Sequence, residues 1–297
     1  DPDISLRVFD VDQNIPVFND FNITLDRPVG DKGWSVGAKM VGDFGRTAEL
    51  LREATLWGPD FHTEPSAELR EANMTVRVPI GAGLNIKGGL FMTTLGTEII
   101  PEPGSYNDNI SRSYLFGFAI PFRHLGMLLS YPVHKTVTVS AGPVTGWDNP
   151  HDNNKQPSFL AAVNWAPVDK FSLASSFIVG PEQKDINSNM RFVLANVASY
   201  TPIDPLTLTM EYTIGHEETV TTSGRNALWM GVATYANYSW TNRFYTALRA
   251  EFFYDKDGVR MGGGATGVEQ RGQFGEVTVT GGYKFTEMLL GRLELRQ

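Results

Sequence analysis

Five acidic or basic side chains bracket one unusually apolar stretch of this sequence. Glu98 and Glu102 precede it, Arg112 interrupts it, and Arg123 and His124 close it. Acids and bases facing each other across a narrow, low-dielectric opening set up a transverse field that sorts solutes by charge. The plainer use of the same residues is mechanical. Arg112 and Glu98 then pin a segment to a wall, and His124 hydrogen-bonds within that wall rather than binding a metal.

A second set of charges sits at alternate positions of strand-like runs: Lys39, Glu71, Arg77, Lys87, Arg191, Glu211, Arg249, Glu251, Glu276, Lys284, Arg292 and Glu294. Along an aqueous passage such residues tune selectivity. As cross-strand neighbours they stiffen the sheet instead. Other chemistry is poorly represented. The chain has no cysteine, which removes disulfides, thiolate metal sites and cysteine nucleophiles. His216-Glu217-Glu218 lacks the second His of a zinc protease. Asp148–Asn154 and Asp255–Gly258 have acidic-loop spellings, but neither completes a calcium loop with its terminal Glu. Gly81-Ala82-Gly83 and Gly262-Gly263-Gly264 precede no helix that could offer amides to a phosphate. No nucleophile–base pair is evident, so the sequence predicts neither an enzyme nor a cofactor or metal site. A net charge of −8 argues against nucleic acid as a partner.

The elements that carry these residues follow a period of two. In Leu206–Ile214 one face is Leu, Leu, Met, Tyr, Ile and the other Thr, Thr, Glu, Thr; Ala72–Val78 and Val277–Phe285 alternate in the same way. Tight turns such as Val78-Pro79-Ile80-Gly81, Tyr131-Pro132-Val133-His134 and Ala166-Pro167-Val168-Asp169 close one end of these runs, and longer polar loops close the other. Seven such turns predict fourteen strands, at about 18–27, 33–43, 66–79, 82–93, 124–132, 135–146, 157–166, 169–179, 189–201, 205–216, 226–239, 242–254, 273–285 and 287–297.

Short turns opposite long loops describe a transmembrane antiparallel up-and-down β-barrel better than a soluble sandwich. The runs are about ten residues long, enough for a tilted strand to span a bilayer. Aromatics gather beside the turns, at Tyr131, Trp165, Phe171, Tyr200, Tyr238, Trp240, Phe244, Tyr283 and Phe285, where an interfacial girdle belongs. The composition of 41% hydrophobic and 20% charged residues, with a mean hydropathy of −0.19, fits a wall that is apolar on one face only. The reading is one domain over 1–297, with an extended leader at 1–17. The alternating run that reaches Gln297 suggests a further C-terminal hairpin, about sixteen strands in all, wide enough for an aqueous channel.

Residues 94–123 break the pattern, being too apolar for a solvated loop and too irregular for a ladder. Folded inward, they would narrow the pore. The Gly-x-x-x-Thr-x-x-Gly-Thr-Glu-x-Ile stretch of Gly89–Ile100, the Ser-Arg-Ser-Tyr of 111–114, the Pro-Phe-x-His-x-Gly of Pro121–Gly126 and the Val-x-Gly-Trp-Asp of Val144–Asp148 resemble the β-barrel porin family of bacterial outer membranes. That resemblance implies an outer-membrane channel for passive diffusion of small hydrophilic solutes or ions. Its partners would be membrane lipid, the solutes and a second copy or partner protein. The competing expectation is a structural sleeve that houses a periplasmic or electron-carrying partner, which calls for an unobstructed bore.

Overall fold

The computed structural model describes residues 7–10, 15–54, 67–261 and 271–297. Fourteen strands follow one another in a single sheet whose spatial order is the chain order. They are β1 (Phe21–Arg27), β2 (Ser35–Phe44), β3 (Ala67–Val78), β4 (Leu84–Met92), β5 (Arg123–His134), β6 (Val137–Val144) and β7 (Ser158–Val168). The rest are β8 (Phe171–Pro181), β9 (Met190–Ile203), β10 (Leu206–Glu217), β11 (Ala227–Ser239), β12 (Phe244–Asp255), β13 (Gly272–Lys284) and β14 (Leu290–Arg296). The strand number and the up-and-down order agree with the sequence reading. β1 and β14 each begin three residues later than the alternation suggests.

The alternation in sequence is an alternation in exposure, with the usual polarity reversed. On β10, Leu208 and Met210 are 39% and 49% exposed while Glu211 and Thr213 are 1% and 0% exposed. On β13, Val277 and Val279 are exposed while Glu276, Thr278 and Thr280 are buried. A soluble sheet hides its apolar face. This one hides its polar face and presents the apolar one outward, which is stable only against lipid.

Contacts cluster the chain into two compact units, residues 1–95, 121–164 and 176–192 in one, and 96–120, 165–175 and 193–297 in the other. In the first, α1 (Arg46–Ala54) follows β2. The strand pattern gave no sign of this helix. Its Ala48 and Leu51 are both 0% exposed, and this three-residue spacing buries one narrow face. The amides of Arg46 and Thr47 donate to the carbonyls of Phe18 and Asn19, at 3.2 and 2.7 Å, so the chain before β1 caps the helix start. Of the leader, Phe9 meets the Phe122 ring edge-on at 5.4 Å. Residues 1–6 and 11–14 of the leader, and Gly262-Gly263-Gly264, lie outside the described residues.

Candidate functional site

An irregular segment that folds onto a sheet loses water from its backbone, and each lost N–H or C=O needs another partner. In the second unit the polar faces of β10 to β14 supply those partners to residues 96–120. Glu211 on β10 accepts the Thr97 amide at 2.9 Å. Glu251 on β12 accepts the Tyr114 amide with both oxygens, at 2.7 and 2.8 Å. Glu294 on β14 accepts the amides of Ile110 and Ser111 at 2.6 and 2.9 Å. Carbonyls are met from the same strands and, at Arg260, from the turn that follows β12. Arg292 donates to Asn107 at 2.7 Å, Arg296 to Arg112 at 3.0 Å, Trp229 to Ala119 at 3.2 Å and Arg260 to Phe118 at 2.6 Å. All but the Trp229 bond have a charged partner, which makes them stronger than neutral ones.

Arg249 is the centre of this arrangement and is 0% exposed. Its Nη1 donates to Glu98 Oε1 at 2.8 Å and to the Ser111 carbonyl at 2.8 Å, and its Nε donates to Glu276 Oε1 at 2.5 Å. Arg296 pairs with the other oxygen of Glu276. Two arginines and two carboxylates thus neutralise one another where β12, β13, β14 and the segment meet. Glu98 also accepts the Ser113 amide at 2.9 Å and the Tyr235 hydroxyl at 3.2 Å.

Apolar packing completes the attachment. A π-helical turn, Leu115–Ala119, buries Leu115, Phe116 and Ala119, and Ile120 is 1% exposed. Two glycines make room for it. Gly96 has φ +80°, and a Cβ there would stand 2.4 Å from Ile120 Cδ1; at Gly231 on β11 a Cβ would stand 2.6 Å from Leu115 Cδ1.

The predicted site residues divide accordingly. Glu98 and Arg112 lie in the second unit, 7% and 8% exposed. Arg112 donates to the Ile110 carbonyl at 2.9 Å and stands 5.9 Å from the Phe116 ring centre. Glu102 is partly exposed, its backbone bridged to Ser105. Arg123 and His124 belong to the first unit and are 1% and 0% exposed. Arg123 pairs with Glu68 and donates to the Leu69 carbonyl at 2.8 Å. His124 Nδ1 donates to the Gly146 carbonyl at 2.9 Å, and its Nε2 lies 3.0 Å from Thr93 Oγ1.

Among the predicted lining residues, Glu211, Arg249 and Glu251 hold the segment. Lys39 pairs with Glu71 at 3.0 Å, Arg77 donates to the Ala82 carbonyl at 2.8 Å, Lys87 stands 5.8 Å from the Phe91 ring centre, and Lys284 is exposed. The two acidic loop spellings serve the backbone: Asp148 accepts the amides of Phe122 and Arg123 at 2.7 and 2.9 Å, and Asp255 those of Gly258, Arg260 and Met261. Sequence reasoning did not single out Glu68, Trp229 or Tyr235. Their contacts join positions far apart in the chain, and no local pattern marks them.

A strand meander with an outward apolar face and a segment held on its polar face is a porin arrangement. The model of one protein family, described as "Putative beta-barrel porin-2, OmpL-like", matches residues 3–297. The chain belongs to this family. Solved porins share its fold at low identity. The outer-membrane channel DcaP of Acinetobacter baumannii is 14% identical, with a TM-score of 0.60 over 94% of this chain and 78% of that one. Salmonella typhi OmpF, solved with daunomycin, is 10% identical, with a TM-score of 0.64 over 93% of this chain and 81% of its own. The trimer form of Vibrio cholerae OmpT is 13% identical, with a TM-score of 0.59 over 94% and 80%. No curated protein matches the chain in sequence. This porin is therefore a transmembrane β-barrel of the bacterial outer membrane and a channel of porin type.

Proposed function

We propose that residues 96–120 form the constriction of a channel for passive diffusion of small hydrophilic solutes or ions. The observation that carries this reading is the grip of Glu211, Glu251 and Glu294 on the backbone amides of the segment. A surface loop would hydrogen-bond to water; this one is built into the polar face. Glu98 and Arg112 act in this reading by fixing the shape of the opening, because their charged ends are committed to protein partners. Arg123 and His124 fix the start of β5 in the same sense. Lys39, Arg77, Lys87 and Lys284 are lining charges, and Glu102, partly exposed on the segment itself, contributes directly to charge selection.

The sleeve reading requires an open bore, and a segment laid on the polar face works against it. The outward apolar face is in contact with lipid. Association with further copies of the chain fits the trimer form in which Vibrio cholerae OmpT was solved.

Purified protein inserted into planar bilayers should give discrete current steps in KCl and a nonzero reversal potential in asymmetric salt. A correctly folded barrel that stays silent would contradict the channel and favour the sleeve.

A further inference from the structure

Between the segment and β10–β11 lies a cavity of about 160 Å³ lined by Glu98, Tyr106, Asp108, Asn109, Tyr235 and Asn237, among others. Its polar groups are unevenly committed. Glu98 is satisfied by Arg249, Tyr235 and the Ser113 amide. The Asn107 side chain closes on the backbone of Ile99 through both its oxygen and its nitrogen, and the Asn109 amide donates to Thr280 at 2.8 Å. Two acceptors remain. Asn237 Oδ1 is buried with no hydrogen-bond partner among the described residues, and the Asp108 carboxylate, felt only at a distance by Arg292 and Lys284, accepts none among them either. Arg292 is itself held by the carbonyls of Asn107 and Asn109, at 2.7 and 3.3 Å.

Asp108 is half-buried, but Asn237 Oδ1 is fully buried, and a buried acceptor without a donor is costly, so whatever occupies this space must bring N–H or O–H groups. The volume admits roughly five waters at about 30 Å³ each, or one compact solute. We propose that this cavity is a transient binding subsite for small primary ammonium solutes, with the –NH₃⁺ group placed between Asp108 and Asn237. Three donors on one compact charge suit one carboxylate and one amide oxygen. An anion would meet two unpartnered acceptors there, and an apolar solute would leave both unsatisfied. The proposal rests on the channel reading and adds to it a class of solute. A subsite that holds a solute briefly beside the constriction raises its local concentration and makes its flux saturable.

Single-channel recording separates the two claims. Ethylammonium chloride added to a KCl background should reduce the potassium current of the wild-type channel in a saturable way. Asp108→Asn should raise the half-blocking concentration by about tenfold, the scale of one lost charge-assisted hydrogen bond. Asn237→Ala should raise it less, and Asn237→Asp should lower it. Sodium acetate should show no saturable block. Equal half-blocking concentrations in wild type and Asp108→Asn, with Asn237→Asp also unchanged, would overturn the subsite while leaving the channel intact. Loss of all conductance in the wild type would fail the channel reading instead. If Asp108→Asn does not fold, the opposite shifts expected of Asn237→Ala and Asn237→Asp still decide the question.

Discussion

Replacing Arg249 by Met should detach the segment from the wall without dismantling the sheet. Arg249 is 0% exposed and donates to Glu98, to Glu276 and to both the carbonyl and hydroxyl of Ser111. Methionine keeps most of the side-chain volume and removes every one of those donors. Glu276 retains Arg296, but Glu98 keeps only the Ser113 amide and the Tyr235 hydroxyl. Removing one partner of a buried ion pair costs about 3–5 kcal/mol, because the other charge is left in a poor medium. The segment holds its remaining anchors at Glu211, Glu251 and Glu294, so the loss falls on its middle, around Ser111–Ser113. The variant is expected to insert into bilayers, to show larger and noisier current steps than wild type, and to unfold at lower urea in detergent. Adding Glu98→Gln to Arg249→Met removes the stranded charge and should recover part of the stability. With the Glu98→Gln single variant measured as well, the cycle closes and gives the coupling energy of the pair. Wild-type conductance and noise in Arg249→Met, or no recovery in the double variant, would refute the assignment of Arg249 as the hub.

The orientation of the wall is tested by neighbouring residues. Met210→Arg, on the exposed apolar face, should cost about 2–4 kcal/mol near the bilayer midplane, while Thr207→Arg, on the opposite face of the same strand, should cost much less; equal urea midpoints for the two would contradict the polarity of β10. Burial raises the Asp108 carboxyl above its ordinary 3.8, an effect that Arg292 and Lys284 oppose. An acid whose folded pKa is raised favours the folded state while protonated and loses that advantage as pH rises through the folded value. Asp108→Asn should therefore unfold at higher urea than wild type at pH 7, and the difference should vanish in acid below the ordinary carboxylate range. A variant less stable than wild type at pH 7 would contradict this. The ethylammonium block described above is the fourth expectation.

The strands were legible in the sequence because one face meets lipid and the other does not, and that difference is written at every second residue. Leu208, Met210, Val277 and Val279 show it directly. That residues 96–120 would pack against other parts of the chain was legible for a related reason, since Tyr114–Phe122 is too apolar to stand in water. α1 was not legible. Its buried face, Ala48 and Leu51, is too short a pattern to stand out, and its cap comes from Phe18 and Asn19 rather than from its own N-terminal side chains. The partners of Glu98, Arg249 and Glu251 were also hidden. The charges were visible, but the amide of Tyr114 and the carboxylate of Glu251 are 137 positions apart. Only the fold reveals that such acids hold a backbone instead of facing the solute.

The measurement that tests the central claim most directly is the conductance of a variant lacking Ser105–Ala119. That deletion removes the π-helical turn and the amides that Glu251 and Glu294 hold, and leaves the fourteen strands intact. The deleted channel should fold, insert, conduct more than wild type in the same KCl solution, and show a reversal potential closer to zero in asymmetric salt. A correctly folded deletion variant with wild-type conductance and selectivity would contradict the assignment of residues 96–120 as the constriction.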